Sequence, residues 1–564
     1  MLHVSSLSSV SLAEVRSRAV ALLPGREDWE AVRRDPKADL VAGVTVAVVA
    51  LPLALAFGVS SGMGASAGIV TAVIAGIVAA VFGGSNLQVS GPTGAMTVVL
   101  VPIIHDFGRD GVLMVGLLAG IMLLIAAGLG LGKLVRYLPI PVIEGFTAGI
   151  AVVIGLQQVP AMFGIDGGEF EHTWQVALDV VRRWLEGPHW APVVMALAVA
   201  AFILVAQRLR PAVPWSLVAI VLATVAGSWL PVDGIGELPP GLPVPSAGFV
   251  SVSGLTALVP AAAAVAALSA LESLLCATVA DSMTVDESHD PDRELVGQGL
   301  ANLAVPFFGG VPATAAIART AVNVRAGARS KLAAVTHAVV LLVIVSALAG
   351  LVAHIPLAAL AGVLLATCVR MIEVASVVAL LRSTRGDALV LVLTFVVTVA
   401  FDLVDAVIAG LLVSILYALR QVARSAVVER VEPFGPARGL HSEEEHELLK
   451  KHIVVYRFDG PLFFAAAHRF LLELAEVADV RVVVLRMSRV TAIDATGAKV
   501  LDEVISRLER RGKVVMISGI SPDHADVLAR LGVADHLRRD NRIHSRTPEA
   551  ISRALELVAE HAGS

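Results

Sequence analysis

From Leu40 onward the chain repeats one feature that decides its environment. Apolar runs of about 20 residues, almost free of charge, recur along it, and each is long enough to cross a bilayer as a helix. The runs read approximately as 40–60, 66–83, 88–106, 112–132, 137–160, 190–207 and 214–230, then 257–280, 294–309, 312–324, 330–353, 356–372, 387–402 and 404–420. That pattern predicts an all-α polytopic membrane domain of 14 spans, seven followed by seven, embedded in a lipid bilayer. Only 16% of the 564 residues are charged, against about 25% in soluble domains. Cys276 and Cys368, the two cysteines, both lie inside apolar runs, so no disulfide framework is implied. The histidines lack metal-ligand spacing and no nucleotide-binding glycine loop occurs, so neither a metal, a cofactor nor ATP-driven transport is expected. The net charge of -5 is spread over loops and tail and gives no reason to expect nucleic acid.

Charge placement orients the spans. With the N-terminus inside, Lys133, Arg136, Arg208, Arg210, Arg325, Arg329, Lys331, Arg382, Arg385, Arg420 and Arg424 all fall on the cytoplasmic side. Asp166, Glu169, Glu171, Asp233 and Glu237 fall outside, as the positive-inside rule requires. The acidic loop Asp281–Glu294 is expected inside, where acidic residues weigh little. No cleaved signal peptide is read in residues 1–38, which are expected in the cytoplasm. The domain plan is therefore 1–38 cytoplasmic, 39–424 transmembrane, 425–450 linker (with VEPFGPARG at 431–439 and SEEEHE at 442–447) and 451–562 a cytoplasmic α/β domain. In that domain Ile453–Phe458, Arg481–Met487 and Lys513–Ser518 read as strands. Ala465–Glu476, Thr496–Arg510, Pro522–Leu531 and Pro548–His561 read as helices.

Two membrane segments interrupt themselves with Gly and Pro: LQVSGPTGAMTVVL (87–100) and FFGGVPATAAIARTAVN (307–323). Such a pair in matching halves points to a transporter substrate site, because a helix that starts in mid-membrane turns free N–H groups and a positive dipole end toward an anion. Pro92 and Pro312 are read as the first helical positions, with Ser90, Thr93, Thr97 and Thr314 adding hydroxyls. The plain alternative is two kinked packing helices. Arg319 is the basic residue of the second segment, and its spacing fits two roles equally: positive potential in an anion pocket, or snorkelling to the interface beside Arg325 and Arg329.

Glu272 is the ionisable residue of the run 257–280. Ser269, Glu272, Ser273 and Cys276 follow at i, i+3, i+4 and i+7, one face of a helix. Exclusion from water favours the neutral form of a carboxylic acid, which makes Glu272 a candidate proton-coupling group. A structural carboxylate paired with Arg319 or backbone is the alternative.

At these residues the chain resembles the SulP (sulfate permease) family of anion transporters over about 40–562. The resemblance lies in LPLALAFGVSSG (51–62), GGSNLQVSGPTGAMTVV (83–99), PVIEGFTAGIAVVIGLQQ (141–158), ESLLCATVADSMT (272–284), the stretch 294–329 and DATGAKVL (494–501). It implies an inverted seven-plus-seven fold like that of uracil permeases, a core domain moving against a gate, a C-terminal STAS domain able to bind cytosolic proteins, and a homodimer. Carried over by position, it implies an anion pocket of Phe57, Thr93, Ala318, Arg319 and Thr320, with the second half-helix starting near Ala318. VSGPTGAMT is similar to bicarbonate-type members, but those place a sodium-binding Asp and Thr where this chain has Glu272 and Cys276, which favours H+ over Na+ as coupling ion. Thr496 matches a phosphorylation position of related anti-sigma factor antagonists, although Asp494 or Thr496 as a plain helix cap is the favoured reading.

The expected function is secondary active transport of a small inorganic anion or carboxylate across the plasma membrane, with both termini cytoplasmic, no catalytic residues and H+ symport preferred. Sulfate, bicarbonate and a dicarboxylate remain open as substrates. Na+-coupled bicarbonate symport, a nucleobase permease on the same fold and a STAS-linked membrane sensor are the alternatives.

Overall fold

Helix bounds follow Gly, Pro and capping side chains. Asp35 caps the first long helix, accepting from Ala38 N–H at 3.3 Å, with Pro36 in the first turn. The computed structural model describes residues 22, 24–168, 172–210, 213–239, 241–251, 254–284, 287–401, 403–425, 427–431, 452–462, 480–533 and 535–562. The chain divides into two units, residues 1–412 and 413–564.

The first unit runs α1 (Arg26–Arg34), α2 (Pro36–Ser60), α3 (Ala65–Phe82), β1 (Ser90–Gly91), α4 (Gly94–Gly128), α5 (Ile140–Gln157), α6 (Val159–Phe163), α7 (Thr173–Glu186), α8 (Trp190–Leu209), α9 (Trp215–Gly227), α10 (Leu255–Ser282), α11 (Pro291–Ala304), β2 (Thr314–Ala315), α12 (Ile317–Arg325), α13 (Lys331–Val352), α14 (Leu357–Met371), α15 (Val374–Ser383), α16 (Arg385–Ala400) and the start of α17 (Leu403–Ser425). Among the described residues eight helical stretches are long and apolar enough to cross a membrane. Others are shorter: α12, at nine residues, rises only roughly 14 Å, about half of a hydrocarbon core. α4 carries two of the expected spans, broken at Gly108 with φ +69°. α7 and α15 were not expected; both are short helices outside the apolar runs.

Small residues let these helices approach closely. A Cβ at Gly68 would lie 2.0 Å from Ala54 O, so α3 packs on α2 backbone to backbone. α2 also packs on α13, α4 on α10 and α11, and α5 on α16.

Both half-helices start later than Pro92 and Pro312 suggest. Residues 313–315 are held extended: Asn302 Oδ1 accepts from Ala313 N–H at 2.8 Å, its Nδ2 donates to Ala313 O at 2.9 Å, and Ser273 Oγ accepts from Ala315 N–H at 3.2 Å. β2 then pairs antiparallel with β1, and the helices begin beyond the pair, at Gly94 and Ile317. The second start agrees with the family placement near Ala318 rather than with Pro312.

The second unit is an α/β sheet in the order β3 (Val427–Val431), β4 (Ile453–Leu462), β5 (Val482–Ile493), β6 (Val514–Ser518), β7 (Ile543–His544). β3 lies within the stretch read as linker and pairs antiparallel with β4; the other pairs are parallel. Helices α18 (Ala495–Arg510), α19 (Pro522–Arg530), α20 (Asp535–Arg539) and α21 (Thr547–Ala562) complete it. Val483 and Leu485 pack with Leu501 and Val504 of α18, whereas Val482 and Val484 pack with Ala550 and Ala554 of α21. The alternation fills both faces of the sheet, as buried parallel strands require. The expected helix Ala465–Glu476, the segment 442–447, most of 431–439, and Glu169 and Glu171 lie outside the described residues.

Candidate substrate site

Ser90 pairs with Ala315 and Gly91 with Thr314, which sets the start of α4 beside the start of α12. α12 has no side-chain cap. Ala316 N–H goes to Val89 O at 3.0 Å and Thr320 N–H returns to Ala316 O at 2.9 Å, so the N–H groups of Ile317, Ala318 and Arg319 stand at the positive end of the helix without a partner among the described residues. Ile317 and Ala318 are exposed, so this end opens onto accessible space.

In α4 Thr93 is the N-cap. This corrects the expectation that Pro92 opens the helix. Thr93 Oγ1 accepts from Met96 N–H at 3.4 Å, and Thr97 N–H goes to Thr93 O at 3.1 Å. The N–H groups of Gly94 and Ala95 are left at the helix start. Phe57 of α2 covers that start: a Cβ at Gly94 would come within 3.1 Å of its ring.

Arg319 is 1% exposed. Its Nη2 donates to Pro92 O at 2.8 Å, and its Nη1 has no partner among the described residues. The guanidinium therefore faces the first half-helix, and snorkelling beside Arg325 and Arg329 is ruled out. Gly91 makes this possible, since a Cβ there would lie 2.5 Å from Arg319 Nη1.

Glu272 reaches the same place from α10. Its Oε2 accepts from Thr93 Oγ1–H at 2.8 Å. Among the described residues no ion pair within 4.0 Å joins it to Arg319, so the carboxylate is held by hydroxyls, that of Thr93 first and that of Thr314 beside it. The rest of its helical face supports the crossing. Ser269 Oγ donates to Ala313 O at 3.0 Å, Ser273 Oγ lies 3.0 Å from Thr314 Oγ1, and Cys276 Sγ donates to Thr320 Oγ1 at 3.2 Å. Thr320 Oγ1 also accepts from Val89 N–H at 3.0 Å, so both Thr320 and Cys276 face the strand-to-helix junction.

Sequence reasoning missed the layer behind the crossing. Gln298 Nε2 donates to Ser90 Oγ at 2.6 Å and to Glu294 Oε1 at 2.9 Å, while Glu294 Oε2 accepts from Gly84 N–H at 3.0 Å. Asn323 Nδ2 donates to Leu87 O at 2.7 Å. The available signal was Glu294, Gln298 and Asn302 at i, i+4 and i+8, one polar stripe on a membrane helix. In the second unit Asp494 caps α18, its Oδ1 accepting from Gly497 N–H at 2.6 Å, and Thr496 is exposed in the first turn.

Comparison with known proteins identifies the family. The Sulfate permease family model matches residues 37–394 and the STAS domain model residues 449–550. The chain is 35% identical to the sulfate transporter candidate YvdB of Bacillus subtilis over 508 residues, covering 88% of this chain and 93% of that one. It is 30% identical to the bicarbonate transporter BicA of Picosynechococcus over 550 residues, covering 94% and 96%. The structure of the murine Solute Carrier 26 family member A9 anion transporter superposes with TM-score 0.82 over 97% of this chain and 96% of that one, at 18% identity, a likeness of fold. A family model that matches most of the membrane unit, together with a matching STAS model, places this chain in the sulfate permease family of anion transporters.

Proposed function

We propose that the chain carries a small oxyanion or carboxylate together with a proton, by alternating access, and that Thr93 links the two. As a family member it is a multi-pass membrane anion transporter and not an enzyme. The observation that carries the finer reading is the 2.8 Å bond from Thr93 to Glu272. A hydroxyl has one hydrogen to give. While Glu272 is ionised that hydrogen is spent on the carboxylate, beside the helix start where an anion would bind. A proton on Glu272 lets the acid donate instead and frees the Thr93 hydroxyl to face the anion. It also removes a negative charge from the pocket. Uncapped N–H groups on α12 and α4, with Arg319 behind them, supply the positive field. The pocket residues are Phe57, Thr93, Ala318, Arg319 and Thr320. Cys276, bonded to Thr320, supports the junction.

Sulfate, bicarbonate and a dicarboxylate all present the oxygens this arrangement receives, and the names of relatives include the first two. The protein belongs, in this proposal, in the plasma membrane as a homodimer with both termini cytoplasmic, and its STAS domain meets cytosolic proteins. Purified protein in liposomes decides the matter. Labelled sulfate, bicarbonate and fumarate are offered under imposed pH and Na+ gradients. Uptake of one of them should follow the pH gradient, and Glu272→Gln should remove that dependence. Dependence on Na+ alone, or unchanged pH dependence in Glu272→Gln, would sink the proton reading. Arg319→Ala should weaken anion affinity, and unaltered affinity would remove Arg319 from the pocket.

A further inference from the structure

We propose that a groove between α8 and α9 is a binding site for one hydrocarbon chain of a membrane phospholipid, taken from the leaflet at the Trp190 end. The groove encloses about 500 Å³ and runs from Trp190 and Leu230 to Phe202 and Ala219. Ala198 and Ala223 hollow its two walls.

Its length is that of one leaflet. From Trp190 to Phe202 α8 rises roughly 18 Å, and half of a hydrocarbon core is about 15 Å. The helix pair is anchored to match. Trp190 and Trp229 are exposed at one end, and Arg208 and Arg210 at the other, the side chains that favour the two membrane boundaries. The groove therefore opens at headgroup level and ends past mid-span, short of the Arg208 and Arg210 end, where Trp215 Nε1 donates to Arg210 O at 2.8 Å. There Phe202 closes it, backed edge to face by Trp215 with ring centroids 5.8 Å apart.

Chemistry narrows the occupant. The lining side chains are apolar, apart from the indole N–H of Trp190 at the mouth. Water would find no partners inside. Left empty, the walls would forfeit their dispersion contacts. A membrane helix from a second copy needs a track through both leaflets, and the Phe202–Trp215 pair interrupts it. A single acyl chain has the length, width and apolarity the groove asks for.

The test uses full-length protein purified in mild detergent and washed to strip loosely held lipid. Palmitoyl-oleoyl phosphatidylglycerol or the matching phosphatidylcholine is added back, and native mass spectrometry counts bound lipid. Wild type should retain one phospholipid per chain. Ala198→Phe and Leu222→Trp fill the groove from opposite walls, and each should lower occupancy about tenfold or more. Val221→Phe, on α9 but outside the groove, should behave as wild type. Preference for one headgroup or indifference between them identifies the lipid without touching the chain site. Three results overturn the proposal: no lipid retained by wild type, wild-type retention in both filling variants, or such retention accompanied by a dimer that separates into single chains. The last would give the groove to a second copy.

Discussion

Gly91→Ala tests the crossing most directly, because the added atom has one definite neighbour. The new Cβ would lie 2.5 Å from Arg319 Nη1 and 3.2 Å from Ala72 Cα, at a residue with φ +156°. Arg319 can withdraw only by giving up its Nη2 bond to Pro92 O, 2.8 Å long and buried. A hydrogen bond from a charged group contributes about 1.5–3 kcal/mol, and a non-glycine residue in a sparsely populated conformation costs about 1–3 kcal/mol. Together the substitution costs about 2.5–6 kcal/mol, shared between stability and a displaced guanidinium. Labelled-anion uptake in proteoliposomes, normalised to folded protein, should fall at least about tenfold. Gly108→Ala provides the contrast. Gly108 also has positive φ, +69°, but nothing lies within 4 Å of its Cβ position. It should lower the melting temperature and leave normalised uptake unchanged. Arg319→Ala supplies the second control. If the Gly91 methyl acts through Arg319, the double variant should be no worse than Arg319→Ala alone. Wild-type uptake in Gly91→Ala, or additive losses in the double variant, would refute the reasoning.

Other outcomes follow from single contacts. Thr93→Val removes both the cap and the donor to Glu272, so uptake should lose its dependence on the pH gradient and stability should fall by about 1 kcal/mol from the cap alone; Thr93→Ser should restore both, read by uptake and thermal melting. Asp494→Ala should destabilise the STAS domain by about 0.5–2 kcal/mol in thermal melts, through the lost bond to Gly497 N–H, while Thr496→Ala should not. Burial pulls the Asp28 carboxyl upward, but the hydrogen bonds from Arg293 and Gly25 N–H and the charges of Lys331 and Arg293 outweigh it, holding Asp28 below its ordinary value of 3.8. A carboxylate lowered on folding contributes fully above its unfolded value and is lost only as pH falls through the lowered one. Hydrogen-exchange protection across 26–34 should therefore hold steady from neutral pH to about pH 5, and Asp28→Asn should reduce it at neutral pH.

Long apolar runs were readable because period and length alone identify them, and so was the STAS alternation of strand and helix. The half-helices were readable as breaks but not as starts. Pro92 and Pro312 carry the local signal, yet Asn302, Ser273 and the β1–β2 pair hold the chain extended past both. Those contacts reach as far as Ser90 with Ala315, and no local pattern contains them. β3 was invisible for a similar reason, since Val427–Val431 becomes a strand only by pairing with β4 across the intervening residues. Arg319 shows the limit within a site. Spacing left it between pocket and interface, and what turns it inward is a carbonyl, Pro92 O, beside the start of the other half-helix.

Sequence reasoning also assigned two separate jobs, anion binding to the half-helices and coupling to Glu272. Their geometry argues against the separation. Thr93 is the cap of one half-helix, and its oxygen is therefore fixed by Met96 N–H. Its single hydrogen is directed to Glu272. Arg319, from the other half-helix, bonds the carbonyl of the residue before Thr93. In the proposed pocket any change in the charge of Glu272 thus acts on the donor offered to the anion, and any movement of Arg319 acts on the backbone that carries that donor. If the proposed proton coupling holds, reciprocity requires that a bound anion alter the proton affinity of Glu272 as much as the proton alters the anion's. In this proposal coupling needs no long pathway, because ionised Glu272 and the anion compete for the one Thr93 hydrogen and a proton on Glu272 releases it. It also explains why a serine at position 93 should suffice and a valine of equal shape should not.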